Sequence, residues 1–510
     1  MKLTDLLYLG AVLLACTASQ SNAGLRPASL FQDHMVLQRD VPVPVWGEAD
    51  PGAKVTVVFA GQKKGTTATP DGKWMLKLDP LSGSYQARTF TISCEYQSKV
   101  EELKLNDVLV GEVWICSGQS NMQYGVNAAP EVKALIPRSK NIRSFAVKRT
   151  VAFTEQAYCE GGWVDRYPDS AVAFAFAHSL QAAADVPVGI ILSCWGSSSL
   201  EAWMPRDMVD SVPHFRTMMD EFDANTEARN QIKAALNKPK GWSQQEDVFL
   251  RRQSNILYNA MMHPLAPYAC RGLVWYQGER NTQSMYGMVK TPWFSRNSGM
   301  LIYGDVLKQW MQRYRKQWGS EEFHFLVTML PGYGQCLKTG PDKAPDSPTA
   351  HSWAWMRESQ LKALGLKGVS VANTIDLGDL KNVHPKDKLP VGQRLALLAA
   401  RDTLGMQIVA QGPVVRNVES KGHHLTVNFD HADGLRTKDG KAPTAFWIAD
   451  NSQKWVRAQT KIAGQSVVLH SPEVAKPLYV RYAFAGMPKV NLVNGSGLPA
   501  YPFRTDHFKP

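Results

Sequence analysis

Cysteine is scarce, with seven among 510 residues. No Cys-x-x-Cys pair occurs, and no Cys/His cluster has the spacing of a zinc site, so the sequence implies neither a metal nor a cofactor. Lysine and arginine form no long block and no nucleic-acid motif is present, which removes the electrostatic footprint of a nucleic-acid partner. After residue 16 no apolar run is long enough to cross a bilayer, so no membrane span is expected.

What remains is a globular composition: 44% hydrophobic, 20% charged, with a formal net charge of +12. The positive charges are dispersed, a general surface charge that would help attract acidic ligands. Fifteen tryptophans suit stacking on sugar faces and equally suit β-sheet cores. The length favours two to four domains. Residues 1–23 read as an export signal: Lys2 gives a thin positive start, opposed by Asp5, and 6–16 form an apolar core. Ser21-Asn22-Ala23 then offers a small-x-small cleavage site. Leu13-Leu14-Ala15-Cys16 competes as a lipoprotein box, with a lipid anchor on Cys16. Either way the expected location is periplasmic or extracellular, and six cysteines remain after removal of the signal, for which pairing is open.

Residues 24–105 read as a small β-sandwich-like domain. Short alternating runs at 41–46, 54–59, 74–78 and 88–93 are separated by turns such as Asp50-Pro51-Gly52 and Asp71-Gly72. Residues 106–408 change character. Near-continuous apolar runs at 108–116, 186–194, 272–277, 323–330 and 368–376 alternate with helical stretches at 170–184, 249–262, 305–318 and 357–365. That alternation predicts an α/β unit with a parallel sheet covered by helices. Residues 409–510 return to short alternating strands at 425–429, 444–449, 466–471 and 478–485, a second β-sandwich-like domain ending in an irregular Gly/Pro-rich tail.

Ligands of parallel sheets bind beyond the carboxyl ends of the strands. Polar residues gather there: Ser117-Gly118-Gln119-Ser120-Asn121, then Trp195-Gly196-Ser197, then Gly278-Glu279-Arg280-Asn281, then Asp379 and His384. Ester hydrolysis by serine needs a nucleophile, a base, an orienting group and oxyanion donors. Ser120 is the candidate nucleophile and His384 the candidate base. The backbone N–H groups of Ser120 and Gly196 and the side chains of Gln277 or Asn281 are candidate oxyanion donors. Behind His384 the acid is open among Asp379, Asp376, Glu279 and none, because the position three residues before the histidine is Lys381.

Residues 111–123 (GEVWICSGQSNMQ), 193–205, 257–265, 272–281 (GLVWYQGERN) and 374–397 resemble the signature stretches of sialate O-acetylesterase-like proteins, exported members of the SGNH hydrolase superfamily. Residues 30–52 and 480–506 extend the resemblance over nearly the whole mature chain. The resemblance implies an SGNH, flavodoxin-like hydrolase fold flanked by the two β domains. It also implies Ser120 as nucleophile, His384 as base, Gly196 and Asn281 at oxyanion positions, and Gln277 and Glu279 in the third motif. The implied activity is metal-free removal of O-acetyl groups from sugars, typically sialic acid. The chain departs from the pattern at Arg280, where serine is usual, at Ser197-Ser198-Ser199 after Gly196, and at Asn382, where Asp is frequent. Two alternatives stand beside it: an acetylesterase for other glycans such as xylan, and a glycan-binding protein with a weakened site.

Overall fold

The structure is a computed structural model that describes residues 24–239, 241–283, 299–338, 342–349 and 351–508. The expected export signal, and Cys16 with it, lie outside the described residues. The molecule is built on a strand of 20 residues, β1 (Lys99–Gly118), which serves two sheet regions in succession. Its first half pairs antiparallel with Ser84–Tyr96. There its side chains are mostly exposed, whereas from Leu109 to Gly118 every residue is buried. That shift follows the sequence, where the charged 99–107 segment gives way to a near-continuous apolar run interrupted at Gly111-Glu112. The boundary expected at 105/106 therefore falls inside a strand, because backbone pairing continues through it.

The second half of β1 lies at the centre of six parallel strands. With β2 (Ile142–Val147), β3 (Val188–Cys194), β4 (Gly272–Tyr276), β5 (His324–Thr328) and β6 (Val369–Ala372), the order is β2-β3-β1-β4-β5-β6. The parallel arrangement expected from the apolar runs is present. β2 is an addition that the sequence concealed. Its Arg143 reads as surface charge but is buried, held by Asp107 at 2.7 Å and Asp165 at 3.3 Å.

Four helices frame the sheet: α1 (Ala171–Ala184), α2 (Tyr303–Trp318), α3 (Ser352–Leu361) and α4 (Leu389–Leu404). α1 starts where the Ser170 hydroxyl accepts the Ala173 N–H at 3.1 Å, an N-cap. Trp114 of β1 meets Phe176 of α1, while Trp275 of β4 meets Trp310 of α2. Gly272 is paired with Trp114 and Trp275 with Ser117, so the two tryptophans point to opposite faces and the helices cover both.

The helix expected over 249–262 is broken. A helix Gln244–Leu250 stops at Arg251, and a π-helical turn follows at Tyr258–Met262. Between them Asn255 adopts φ +67°, with its N–H on the Glu201 carbonyl and its side-chain amide on the Met204 carbonyl.

Around this centre the remaining chain is β-rich. Arg26–Pro27, Val43–Glu48 and Lys73–Leu78 form one small sheet. Residues 414–508 contribute two four-stranded sheets, one of them including Phe503–Arg504 in the tail expected to be irregular. This last region is tied to the α/β part by buried charge. The guanidinium of Arg357 in α3 donates to the carbonyls of Ala485 and Gly486, and Arg504 pairs with Glu358.

Candidate active site

The chain runs from β1 to β2 and β3 on one side of the sheet and only then crosses to β4 on the other. The crevice at the carboxyl end of β1 is thus the switch point where such sheets bind ligands. Gly118 closes β1 at φ +133°, and a Cβ there would stand 2.1 Å from the Tyr276 carbonyl oxygen, so only glycine fits. Gln119 leads into a single helical turn, Ser120–Gln123. This lifts the Ser120 side chain off the sheet and leaves the first N–H groups of the turn without intrahelical partners.

His384 reaches the same place from the loop between β6 and α4. Its Nε2 lies 2.7 Å from the Ser120 Oγ. Its backbone N–H donates to Asn382 Oδ1 at 2.9 Å, so the Asn at this departure from the family pattern shapes the loop. Burial, and then the nearby Lys388 charge, hold the imidazole below its ordinary pKa. The ring is therefore a neutral acceptor at neutral pH, as proton abstraction from serine requires.

No carboxylate among the described residues hydrogen-bonds to His384. Asp379, the expected acid, is not brought to the imidazole by a hydrogen bond. It is exposed and its Oδ1 accepts the N–H groups of Lys381 and Asn382 at 2.7 and 2.8 Å, a turn-forming role. Asp376 is committed elsewhere, held by Arg394 at 2.6 and 2.9 Å and by Lys438. Glu279 does line the site, but its Oε1 takes the Asn121 Nδ2 at 2.5 Å and its Oε2 has no hydrogen-bond partner among the described residues. Burial raises its pKa. The serine and histidine stand as a pair.

The expected oxyanion set is brought together only in part. Gly196 lies beside Ser120, and a Cβ on it would stand 3.3 Å from the Ser120 Cβ. Its N–H is held by Gln123 Oε1 at 2.8 Å, an amide oxygen in the place an oxyanion would need. Gln277 and Asn281 are not at the cavity surface. The Gln277 amide donates to Gln119, Ser198 and Asn281, and its oxygen accepts from Tyr303 at 2.7 Å. Asn281 accepts the Leu200 N–H and donates to Glu201. Both are wholly buried and brace the loops after β3 and β4 instead of facing the serine.

The cavity above Ser120 measures about 840 Å³. Arg251, Arg252 and Arg280 form one side, and Tyr333 and Trp353, with ring centroids 5.0 Å apart, belong to another. Arg251 pairs with Asp247 at 3.0 Å. Arg280 is pushed down to about 9 by burial and then by the charge of Arg252, which itself feels Arg251. Sequence reasoning noticed only Arg280, since the other two sat inside an expected helix. It gave Asn121 no role and passed over Lys388, whose buried amine reaches the Asn121 Oδ1 at 2.5 Å. Burial pushes that amine down to about 7. All six described cysteines are free thiols, with Cys116 and Cys194 buried. Among the described residues no three metal-binding side chains converge.

A polar crevice at the carboxyl edge of a parallel sheet, with a serine hydroxyl on a neutral imidazole, is the arrangement of a hydrolase. Comparison with known proteins narrows this. The family described as carbohydrate esterase, sialic acid-specific acetylesterase, matches residues 110–265. Sialate O-acetylesterase from Rattus norvegicus is 28% identical over 96% of both chains, and that from Homo sapiens 26% identical over 98% of this chain and 96% of its own. Among solved structures, a carbohydrate acetylesterase from Xanthomonas citri aligns with a TM-score of 0.76 and 30% identity over 95% of this chain and all of its own. The chain belongs to the sialate O-acetylesterase-like family of carbohydrate esterases, and is a hydrolase acting on sugar acetyl groups.

Proposed function

We propose that this esterase removes acetyl groups from O-acetylated sialic acid through an acyl-enzyme on Ser120, with His384 as base and no carboxylate behind it. The observation that carries the mechanism is the 2.7 Å contact between the Ser120 Oγ and His384 Nε2 at the cavity. Ser120 Oγ attacks the acetyl carbonyl carbon while His384 takes the hydroxyl proton. The negative oxygen turns toward the N–H groups of Ser120 and Gly196. The bond from carbonyl carbon to sugar oxygen breaks, and His384 returns the proton to the departing sugar hydroxyl. Water then attacks the acetyl-serine, His384 accepts its proton and delivers it to Ser120 Oγ, and acetate leaves.

The arginines of the cavity favour an acidic sugar. Arg251, Arg252 and Arg280 crowd positive charge on one side of the cavity. A carboxylate on the substrate would relieve that repulsion and accept charge-assisted hydrogen bonds. A neutral xylan fragment offers no such group. In this reading 1–23 export the chain to the periplasm or beyond, with Cys16 as the alternative anchor. An SGNH catalytic unit over 106–408 shares β1 with the β region of 24–105 and carries a second β region over 409–510. The test is acetate release from O-acetylated sialic acid beside acetylated xylan. Preference for the sialic acid supports the assignment. Release from xylan alone overturns the substrate, and release from neither by folded protein favours a binding role.

A further inference from the structure

Asn121 follows Ser120 directly, and its side chain is wholly buried. Its Nδ2 donates to Glu279 Oε1 at 2.5 Å and to the Val383 carbonyl at 3.0 Å, and its Oδ1 accepts from Lys388 Nζ at 2.5 Å. These partners come from three segments: the loop after β4, the residue before His384, and the N-cap of α4. A side-chain amide meets two acceptors and one donor in only one rotation, so Glu279 and Lys388 fix which way round Asn121 sits. One hydrogen bond then joins the residue after the nucleophile to the residue before the base.

We propose that Asn121 is a positioning residue for the reaction: held by Glu279 and Lys388, it fixes the peptide carrying His384 against the turn carrying Ser120, in place of a carboxylate behind the imidazole. The proposal rests on the reading of Ser120 and His384 as nucleophile and base. The surroundings are what a retained functional network shows. Lys388 is fully buried, 5.0 Å from the Tyr124 ring centroid and 5.5 Å from that of Tyr276. Glu279 Oε2 and the Tyr276 hydroxyl are buried with no hydrogen-bond partner among the described residues. Apolar side chains of similar volume would hold a loop without burying two ionisable groups and leaving polar atoms unpaired among the described residues.

The test is steady-state kinetics on an O-acetylated sugar, with thermal unfolding of each variant. Asn121→Asp preserves size but turns the amino group facing Glu279 and Val383 into a third acceptor, and Asn121→Ala deletes the link. Misplacing a base by about 1 Å costs on the order of 100-fold. Both Asn121 variants therefore lose about 100-fold or more in kcat with KM within about threefold. Glu279→Gln, which still offers Asn121 an acceptor, keeps a kcat about tenfold above that of Glu279→Leu. If neither Asn121 variant folds, the Glu279 pair decides alone. The proposal is overturned by a kcat within about threefold of wild type in a folded Asn121 variant, by equal kcat in the two Glu279 variants, or by a loss that lies wholly in KM. Failure of the underlying reading is separate: Ser120→Ala then retains activity.

Discussion

In the proposed mechanism His384 carries the proton with no carboxylate hydrogen-bonded to it among the described residues, and its surroundings define two outcomes. Lys388 faces it from the start of α4, and Glu279 and Arg280 share its cavity from the loop after β4. Burial and then Lys388 lower its pKa, so the active neutral form persists to a lower pH than in an ordinary histidine. The acid limb of the kcat/KM profile is expected to have its midpoint below the usual value of about 6.5. A midpoint above it would place the titrating base elsewhere. Asp379 makes its hydrogen bonds to the backbone of an exposed turn. Asp379→Asn is accordingly expected to change kcat by less than about threefold, against the about 10⁴-fold loss when a true triad acid is replaced. At this scale Ser120 and Gly196 were legible as candidates because each sits two residues beyond an apolar strand, whereas His384 lies well beyond the end of β6 and stood out by residue type. The sequence did not disclose Asn121 with Lys388, since a pairing across that much chain leaves no periodic trace. Gln277 and Asn281 carried the right chemistry in the right motif. Only three dimensions show their amides turned inward and fully engaged.

Among the elements, β1 sets the geometry. Its near-continuous apolar second half, interrupted at Gly111-Glu112, was readable, as were β3 to β6, because strands covered on both faces are hydrophobic nearly throughout. β2 was not, since a buried arginine with two carboxylate partners looks in sequence like surface. The break at 251–255 was not readable either: the residues suit a helix, and tertiary bonds from Asn255 to the Glu201 and Met204 carbonyls override that preference. That break puts Arg251 and Arg252 into the cavity. The end of β1 carries a prediction of its own. Gly118→Ala must displace the Tyr276 backbone and adopt a positive φ, at about 1–3 kcal/mol of strain. It is expected to lower both melting temperature and kcat, the second because the Ser120 turn moves with it. Unchanged kinetics in Gly118→Ala would show that the turn does not depend on this glycine.

For the molecule as a whole, the C-terminal β region is fastened close to the site by charge. Asp376, at the end of the fifth apolar run, joins Arg394 of α4 to Lys438 across that junction. Burial pushes its carboxyl up, but Arg394 and Lys438 together outweigh this and hold it below the ordinary range. The stability it contributes is complete above about pH 4 and is lost as pH falls through the lower folded value. Asp376→Asn, by leaving Arg394 poorly compensated, is expected to destabilise by about 3 kcal/mol in denaturant unfolding at neutral pH. An unchanged unfolding midpoint would mean the junction draws nothing from this charge. The central claim, that Ser120 is the nucleophile of a carbohydrate acetylesterase, is tested most directly by acetate release from O-acetylated sialic acid with Ser120→Ala. The account predicts a folded variant whose kcat is lower by about 10⁴-fold or more. A folded Ser120→Ala protein that releases acetate within about tenfold of the wild-type rate would contradict it.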